Sequence, residues 1–435
     1  MGRFIIALFA FIGIHHWTQV WIYSVDVPFW DEWEYLAPEQ LPAGFSMAWL
    51  HQLHNEHRIA LTRIQTFLLY KLNGWDASQQ QVMNFGIYFF AVCAFLYALS
   101  KWNKSKMMWV LAAFGVFLLS PRLVENHLWG FQSQFHFAWA FAFAAAFCWF
   151  REVPTWRTSV AGTLCAVLSI YSFSGGVLST AAITGVYLVF GLFRMFRYPL
   201  VRRETAVHLF AVVTPVFVTT SFWAIGFKKP PAHAEMAMPW TRPFWDFFAN
   251  LVSSGWGIDQ VDTSIGLGFF AVMTVPMIGL LCTEEKRFDA RVWGLVAIFA
   301  AVLAFLASIA AGRAGFGDLG LSKSSRYTEI GGLLIPPTVL AWCLLLDGKV
   351  RLNRSILTIL WAICYLSFRN DWSYERNYTP VKERRIRGLA CLNAYYFQGG
   401  VPNCPDLYPW AAADKFDAAR NLNLSFYADL ERARH

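Results

Sequence analysis

The sequence predicts an all-α protein that crosses a membrane many times, and three observations carry that reading. Of 435 residues, 57% are apolar and only 15% are charged, against about 25% charged in soluble globular chains. With 40 Phe and 21 Trp, the chain has too little polar surface to coat several water-soluble cores. Apolar runs long enough to cross a hydrocarbon core of roughly 30 Å recur along its whole length. The basic residues, finally, collect in short segments between alternate runs. A soluble enzyme and a disordered scaffold are excluded. Nucleic acid is excluded as a partner despite a net charge of +8, because the charge is not gathered on one polar domain.

Eleven segments read as spans: about 4–24, 79–100, 107–122, 135–150, 158–174, 176–193, 205–227, 264–282, 292–311, 328–346 and 355–368. The first carries His15, His16 and Gln19 in a long run without a small-residue cleavage site, so it reads as a true span and not a removable signal. With Met1 in the cytoplasm, the segments 1–3, 101–106, 151–157, 194–204, 283–291 and 347–354 face the same side. They hold sixteen basic residues, Lys101, Lys104 and Lys106 among them, against six acids. Lys and Arg favour the cytoplasmic side of short loops. The odd span count then puts the C-terminus outside.

Cysteine placement points the same way. Six of eight cysteines fall in apolar segments, while Cys391 and Cys404 lie in the polar tail, where a lone pair suits a disulfide in an oxidising compartment. The alternative is two unpaired thiols. The cytoplasmic segments are too short for a nucleotide-binding domain, and no Gly-rich phosphate loop follows a strand pattern. The bulk is outside, at about 25–78, 228–263 and 369–435. The chain therefore divides into a membrane module, 1–368, which includes the first outer loop 25–78, and a small extracytoplasmic domain, 369–435. Within the first loop, the 3/4 spacing of Trp49, Leu53, Ile59, Leu61, Ile64, Phe67 and Leu68 predicts helix along the membrane surface over 46–72.

Four polar clusters carry the candidate chemistry. Asp31 and Glu32, in Phe29-Trp30-Asp31-Glu32-Trp33-Glu34-Tyr35, are acids boxed by aromatics just beyond the first span. Desolvation there raises proton affinity, as a general base requires; an ordinary juxtamembrane loop is the alternative. His54-Asn55-Glu56-His57-Arg58 is a second run, in which a helix would put His54, His57 and Arg58 on one face. It lacks the His-Glu-x-x-His spacing of zinc hydrolases. It reads as a wall of a site, with Glu56 orienting an acceptor and Arg58 meeting an anion. Glu125, His127 and Gln132, with Arg122, Asn126, Gln134 and His136, follow the third span and serve binding or capping equally well. The fourth cluster joins Gly312-Arg313-Ala314-Gly315-Phe316-Gly317 to Ser322-Lys323-Ser324-Ser325-Arg326-Tyr327. Arg313, Lys323 and Arg326 break the positive-inside bias, so an anionic lipid phosphate is their natural partner; a salt bridge to Asp318 or Glu329 is the alternative. Arg384, Arg385 and Arg387 read either as added phosphate or headgroup contacts or as an ordinary solvated face.

Many apolar spans, acids in the first outer loop, surface helices beside them and an outer tail together resemble the membrane glycosyltransferases of the GT-C class, in particular bacterial, arabinosyltransferase-like enzymes that use polyprenyl-phosphate sugars. The motif match rests on Asp31-Glu32, the His54–Arg58 run and the Ser324–Tyr327 run. The tail is smaller than in the larger members. The resemblance implies that Asp31 or Glu32 is the base and that Arg313 or Arg326 grips the lipid phosphate. It implies an inverting transfer from a polyprenyl-phosphate sugar to an extracytoplasmic acceptor, whether cell-envelope glycan, lipid or a protein such as pilin. It also implies a multi-pass protein of a bacterial inner membrane, in contact with membrane lipids, with its active site in the periplasm. Asp31, Glu32 and Glu56 can together hold a divalent metal ion through oxygen ligands, though the sequence requires none. Two other readings are a lipid-linked sugar flippase, which would carry polar groups inside its spans, and an O-antigen-ligase-like transferase using a lipid diphosphate.

Overall fold

The computed structural model describes residues 2–102, 107–229 and 234–434; Lys104 and Lys106 lie outside them. The described residues are helical, and their one β-type contact is an isolated bridge between His54 and His57. Every expected span coincides with helix, but the helices differ in their capacity to cross a membrane. Seven are long and apolar enough: Gly2–Tyr23, Ala77–Lys101, Ser174–Arg197, Pro199–Ala224, Thr263–Cys282, Ala290–Phe316 and Ser325–Leu345. An eighth, Met108–Leu119 with Pro121–Leu128, is bent by 45°. The helices Ser133–Trp149 and Trp156–Ile170 have 17 and 15 residues; at 1.5 Å per residue they fall short of a core of roughly 30 Å. Val350–Phe368 opens on Arg351 and Arg354 and is not among the seven. The chain is thus a multi-pass membrane protein of seven or eight such helices among the described residues, with shorter helices packed between them.

The packing is dense and aromatic. Close helix crossings use small residues: a Cβ on Gly255 would stand 2.1 Å from the carbonyl carbon of Gly331. The helix Arg242–Gly255 therefore crosses Ser325–Gly332 backbone to backbone, which fixes the height of the residues that open the latter helix.

A second core sits at one end of the bundle, and it joins the first loop to the tail. Trp33 and Tyr35 of the loop are fully buried with Trp75, Phe131, Leu407, Phe416 and Phe426. The Trp33 ring meets Phe416 at 4.9 Å and Phe426 at 5.9 Å. The tail and the first loop thus share one hydrophobic core. The tail's long helix, Tyr374–Gln398, also reaches the bundle, where the Tyr378 hydroxyl bonds His127 Nδ1 at 2.8 Å. Arg385, expected in a solvated face, is buried and donates to Gln81 Oε1 at 2.7 Å. Cys391 and Cys404 form a disulfide that ties this helix to the loop after it.

The single surface helix expected over 46–72 is broken in two. Met47–His51 ends at Gln52, and Ala60–Asn73 begins after the His54–His57 turn. The second helix has its polarity inverted relative to a soluble one: Thr62, Arg63, Gln65 and Thr66 are buried, while Leu68 and Leu72 are exposed. Its exposed side thus carries large apolar residues.

Truncating Trp33 removes the centre of the core shared by loop and tail. Trp33→Ala is expected to cost about 3–5 kcal/mol and to open the tail to proteolysis in otherwise folded protein. Trp410→Ala, on the exposed rim, leaves the digestion pattern unchanged.

Candidate active site

A cavity of about 550 Å³ lies at the end of the bundle that bears the loop and tail. One side is apolar, made by Phe173, Val177, Leu178, Trp223, Phe227 and Ile309 from the ends of three helices. The other side carries Asp31, His54, Asn55, Glu56, His57, Gln132, Arg313, Arg326 and Tyr327. The sequence clusters from the first loop, from the segment after the bent helix and from 312–327 thus meet in one place.

Asp31 owes its position to the short 3-10 helix Trp30–Leu36. The Trp30 amide donates to the Leu407 carbonyl of the tail at 2.8 Å. Glu32 then accepts the Phe29 amide at 2.8 Å and the Phe131 amide at 2.9 Å. Glu34 accepts the Tyr408 hydroxyl. The three acids therefore diverge. Asp31 enters the cavity, Glu32 pins the loop to the 129–132 segment, and Glu34 meets the tail. Glu32 is buried away from the cavity with both oxygens engaged, so the expectation that it is a base gives way to a bracing role. Burial raises the Glu32 carboxyl to about 7, against the pull of the Arg385 charge. Burial also raises Asp31, to about 6, while Arg326 and Arg313 pull it back down.

His54 to Arg58 is not helical. The His54 amide donates to the His57 carbonyl at 2.7 Å and the His57 amide to the His54 carbonyl at 2.9 Å. Asn55, at φ 52°, lies at the tip, a left-handed conformation that Asn tolerates better than most residues. Both histidines and Glu56 thereby reach the cavity. Arg58 is turned away: it donates to the carbonyls of Trp223 at 3.0 Å, Ile225 at 2.5 Å and His51. It is a tie between the first loop and the end of the helix Arg202–Ala224, not an anion ligand.

Glu56 instead meets Arg313, Oε1 to a guanidinium nitrogen at 3.2 Å, and Arg313 Nε donates to the Tyr327 hydroxyl at 3.3 Å. Neither Asp318 nor Glu329 is the partner of these arginines. Asp318 caps the Gly320 amide at 2.8 Å. Glu329 is buried and takes His136 Nδ1 at 2.9 Å, Asn126 Nδ2 at 2.6 Å and Trp139 Nε1 at 3.1 Å. Glu125 lies behind the cavity wall. It accepts the hydroxyls of Ser324 and Ser325 at 2.7 Å each and the Arg326 amide at 3.2 Å. This caps the start of the helix that presents Arg326 and Tyr327. His127 is in the bundle against His16, at 3.0 Å. Lys323 points elsewhere, to the Asn250 carbonyl at 3.1 Å and Ser253 Oγ at 2.9 Å. The apolar wall escaped sequence reading, because its residues end ordinary apolar helices and carry no separate signal.

Among the buried polar atoms on lining residues, His54 Nε2, Gln132 Oε1, Gln134 Oε1, Trp223 Nε1 and Arg326 Nε have no hydrogen-bond partner among the described residues. Such groups are costly unless something satisfies them, and a polyhydroxylated, anionic ligand offers both donors and acceptors. Burial and the Arg63 charge lower His54 to about 3, so it is neutral at its polar tip. Among the described residues, no group of three or more His, Cys, Asp or Glu could hold a metal ion. No family model matches the chain, and neither does any curated protein or solved structure.

The bracing role of Arg58 has a direct consequence. Arg58→Ala leaves three carbonyls without their donor and is expected to cost about 2 kcal/mol or more, read as a fall in the thermal midpoint of the purified protein. An unchanged midpoint with weakened phosphate-lipid binding would return Arg58 to the ligand.

Proposed function

We propose that the protein transfers a sugar from a polyprenyl-phosphate donor to a hydroxyl acceptor at the non-cytoplasmic face of a bacterial inner membrane, in the manner of a GT-C glycosyltransferase. The observation that carries this reading is one cavity lined by a half-buried carboxylate, Asp31, by two guanidiniums, Arg313 and Arg326, and by a long apolar wall. A prenyl phosphate needs the last two together, since its chain is apolar and its headgroup is an anion.

The chemistry follows from the placement. Ionised Asp31 takes the proton of the acceptor hydroxyl, whose oxygen forms a bond to the anomeric carbon. The bond from that carbon to the phosphate oxygen breaks, and its electron pair stays on the departing prenyl phosphate. Arg313, Arg326 and the Tyr327 hydroxyl stabilise the charge that builds there. Displacement from the far side inverts the anomeric centre. Glu56 is already paired with Arg313, so its part is to orient that guanidinium. The eleven-span count, with the N-terminus cytoplasmic and loop and tail outside, belongs to this proposal. Its support is the basic clustering of the short segments and the Cys391–Cys404 disulfide, which suits an oxidising compartment.

A transport reading draws on a different observation: His16, His127, His136 and Glu329 are buried within the bundle. These groups bond to one another and their neighbours and do not line the cavity, which favours packing.

Purified protein supplied with a synthetic polyprenyl-phosphate sugar tests the proposal. Asp31→Asn is expected to lower turnover by about 100-fold or more, Arg326→Gln by about 10- to 1000-fold, and Glu32→Gln much less at equal folded fraction. Because Asp31 works ionised, turnover rises as pH climbs through about 6 and is lost below it; Asp31→Asn removes that limb. Lipid crossing vesicles without sugar transfer by the wild type would establish the transport reading instead.

A further inference from the structure

The helix Ser174–Arg197 begins in the wall of the cavity just described and ends in a second one. Ser174, Val177 and Leu178 line the first. Arg194 and Arg197, twenty or more residues on, line a cavity of about 670 Å³ with Tyr198, Leu200, Phe288, Glu285 and Asp289. At 1.5 Å per residue the two are roughly 30 Å apart, the thickness of a hydrocarbon core. The second cavity therefore lies at the opposite rim of the membrane.

Its cations are of two kinds. Arg291, nearby, is compensated by Asp289 at 2.7 Å and Glu152 at 3.6 Å, and Arg287 by Glu284 at 3.4 Å. Arg194 and Arg197 have no ion pair among the described residues. Their guanidiniums are held by aromatic rings instead, Arg194 over Phe190 at 5.7 Å, and Arg197 over Tyr198 at 5.8 Å and Phe288 at 5.7 Å. Ring stacking orders a guanidinium without neutralising it and leaves its N–H edge for an oxyanion. Of the lining acids, Asp289 and Glu152 are committed to Arg291, and Glu285 is exposed to solvent. With Arg291 included, three cations stand against three acids, and Arg194 and Arg197 are the two cations that no acid holds in an ion pair among the described residues. Beside the cavity, Phe196 and Leu200 project fully or nearly fully exposed side chains.

We infer that this second cavity is a binding site for a phosphate group, carried by the headgroup of an anionic phospholipid. Arg194 and Arg197 hold the phosphate oxygens, and Phe196 and Leu200 meet the first methylenes of the chains. The inference stands apart from the sugar-transfer proposal, since it uses none of the residues of that site. Anionic headgroups are drawn to juxtamembrane cations in this way. Two prealigned arginines make a place for one of them, where scattered lysines give only a diffuse attraction.

Native mass spectrometry of the detergent-purified chain, titrated with phosphatidylglycerol or phosphatidylcholine, tests it. The wild type is expected to retain phosphatidylglycerol in preference. Arg194→Gln with Arg197→Gln should weaken that retention roughly 30-fold, from the contribution of two cations beside an anionic headgroup. The exposed Arg197→Gln alone, which removes only the guanidinium's contact with two surface rings, should weaken it about fivefold. Arg202→Gln with Arg203→Gln, which changes the same charge outside the cavity, should leave it intact. Inorganic phosphate is added as competitor. Displacement by it identifies free phosphate as the occupant, and resistance identifies the lipid headgroup; both keep the phosphate site. Equal retention of the two lipids by the wild type, or equal phosphatidylglycerol retention by wild type and both Arg197 variants, overturns it.

Discussion

A carboxylate withdrawn from water keeps its charge only if cations answer it, and Asp31 is answered by Arg326 and Arg313 across one cavity. Much of the surrounding structure serves to hold the two sides of that encounter. On the acid side, Glu32 staples the loop to the Phe131 amide and the tail closes over Trp33. On the cationic side, Glu125 caps the helix start that presents Arg326, Glu56 meets Arg313, and the contact of Gly255 with Gly331 sets the depth of that helix. Braced in this way, the carboxylate and the guanidiniums are held in fixed positions before anything binds, which is the condition under which electrostatic stabilisation is most effective.

The membrane character of the chain was legible in its composition, because a lipid-facing surface needs no polar coat. The site was legible in part. Asp31, Glu56, Arg313 and Arg326 are charged residues in segments that otherwise avoid charge, so each stood out, and they do meet. What proximity in sequence cannot show is direction. Asp31 and Glu32 are neighbours that leave a short 3-10 helix in different directions, about a third of a turn apart, so one lines the cavity and the other braces the loop. Arg58 resembles a ligand until its three carbonyl acceptors are seen. The His54–His57 run has helical spacing, yet a two-residue tip at Asn55 and Glu56 closes it into a turn, bringing both histidines to the same wall by another route. Long-range partners such as Phe416 for Trp33, nearly 400 residues away, leave no local trace at all.

The inverted helix Ala60–Asn73 and the aromatic-stacked arginines at the far rim show one principle at two depths. A side chain at a membrane boundary is placed by two solvents at once. Leu68 and Leu72 face outward, while Arg63 turns inward, where it donates to the Trp49 and Gln52 carbonyls at 2.6 Å each. Arg194 and Arg197 rest on the rings of Phe190, Tyr198 and Phe288.

The central claim is the electrostatic coupling of Asp31 to the arginines. Its most direct measurement is the titration of the Asp31 carboxyl by infrared difference spectroscopy, with Asp31→Asn as the subtraction reference, in the wild type and in Arg326→Gln. The expected wild-type midpoint is near 6, and it rises once the Arg326 charge is gone. A midpoint at the ordinary value of about 3.9, or one that does not move when Arg326 is replaced, would contradict that coupling.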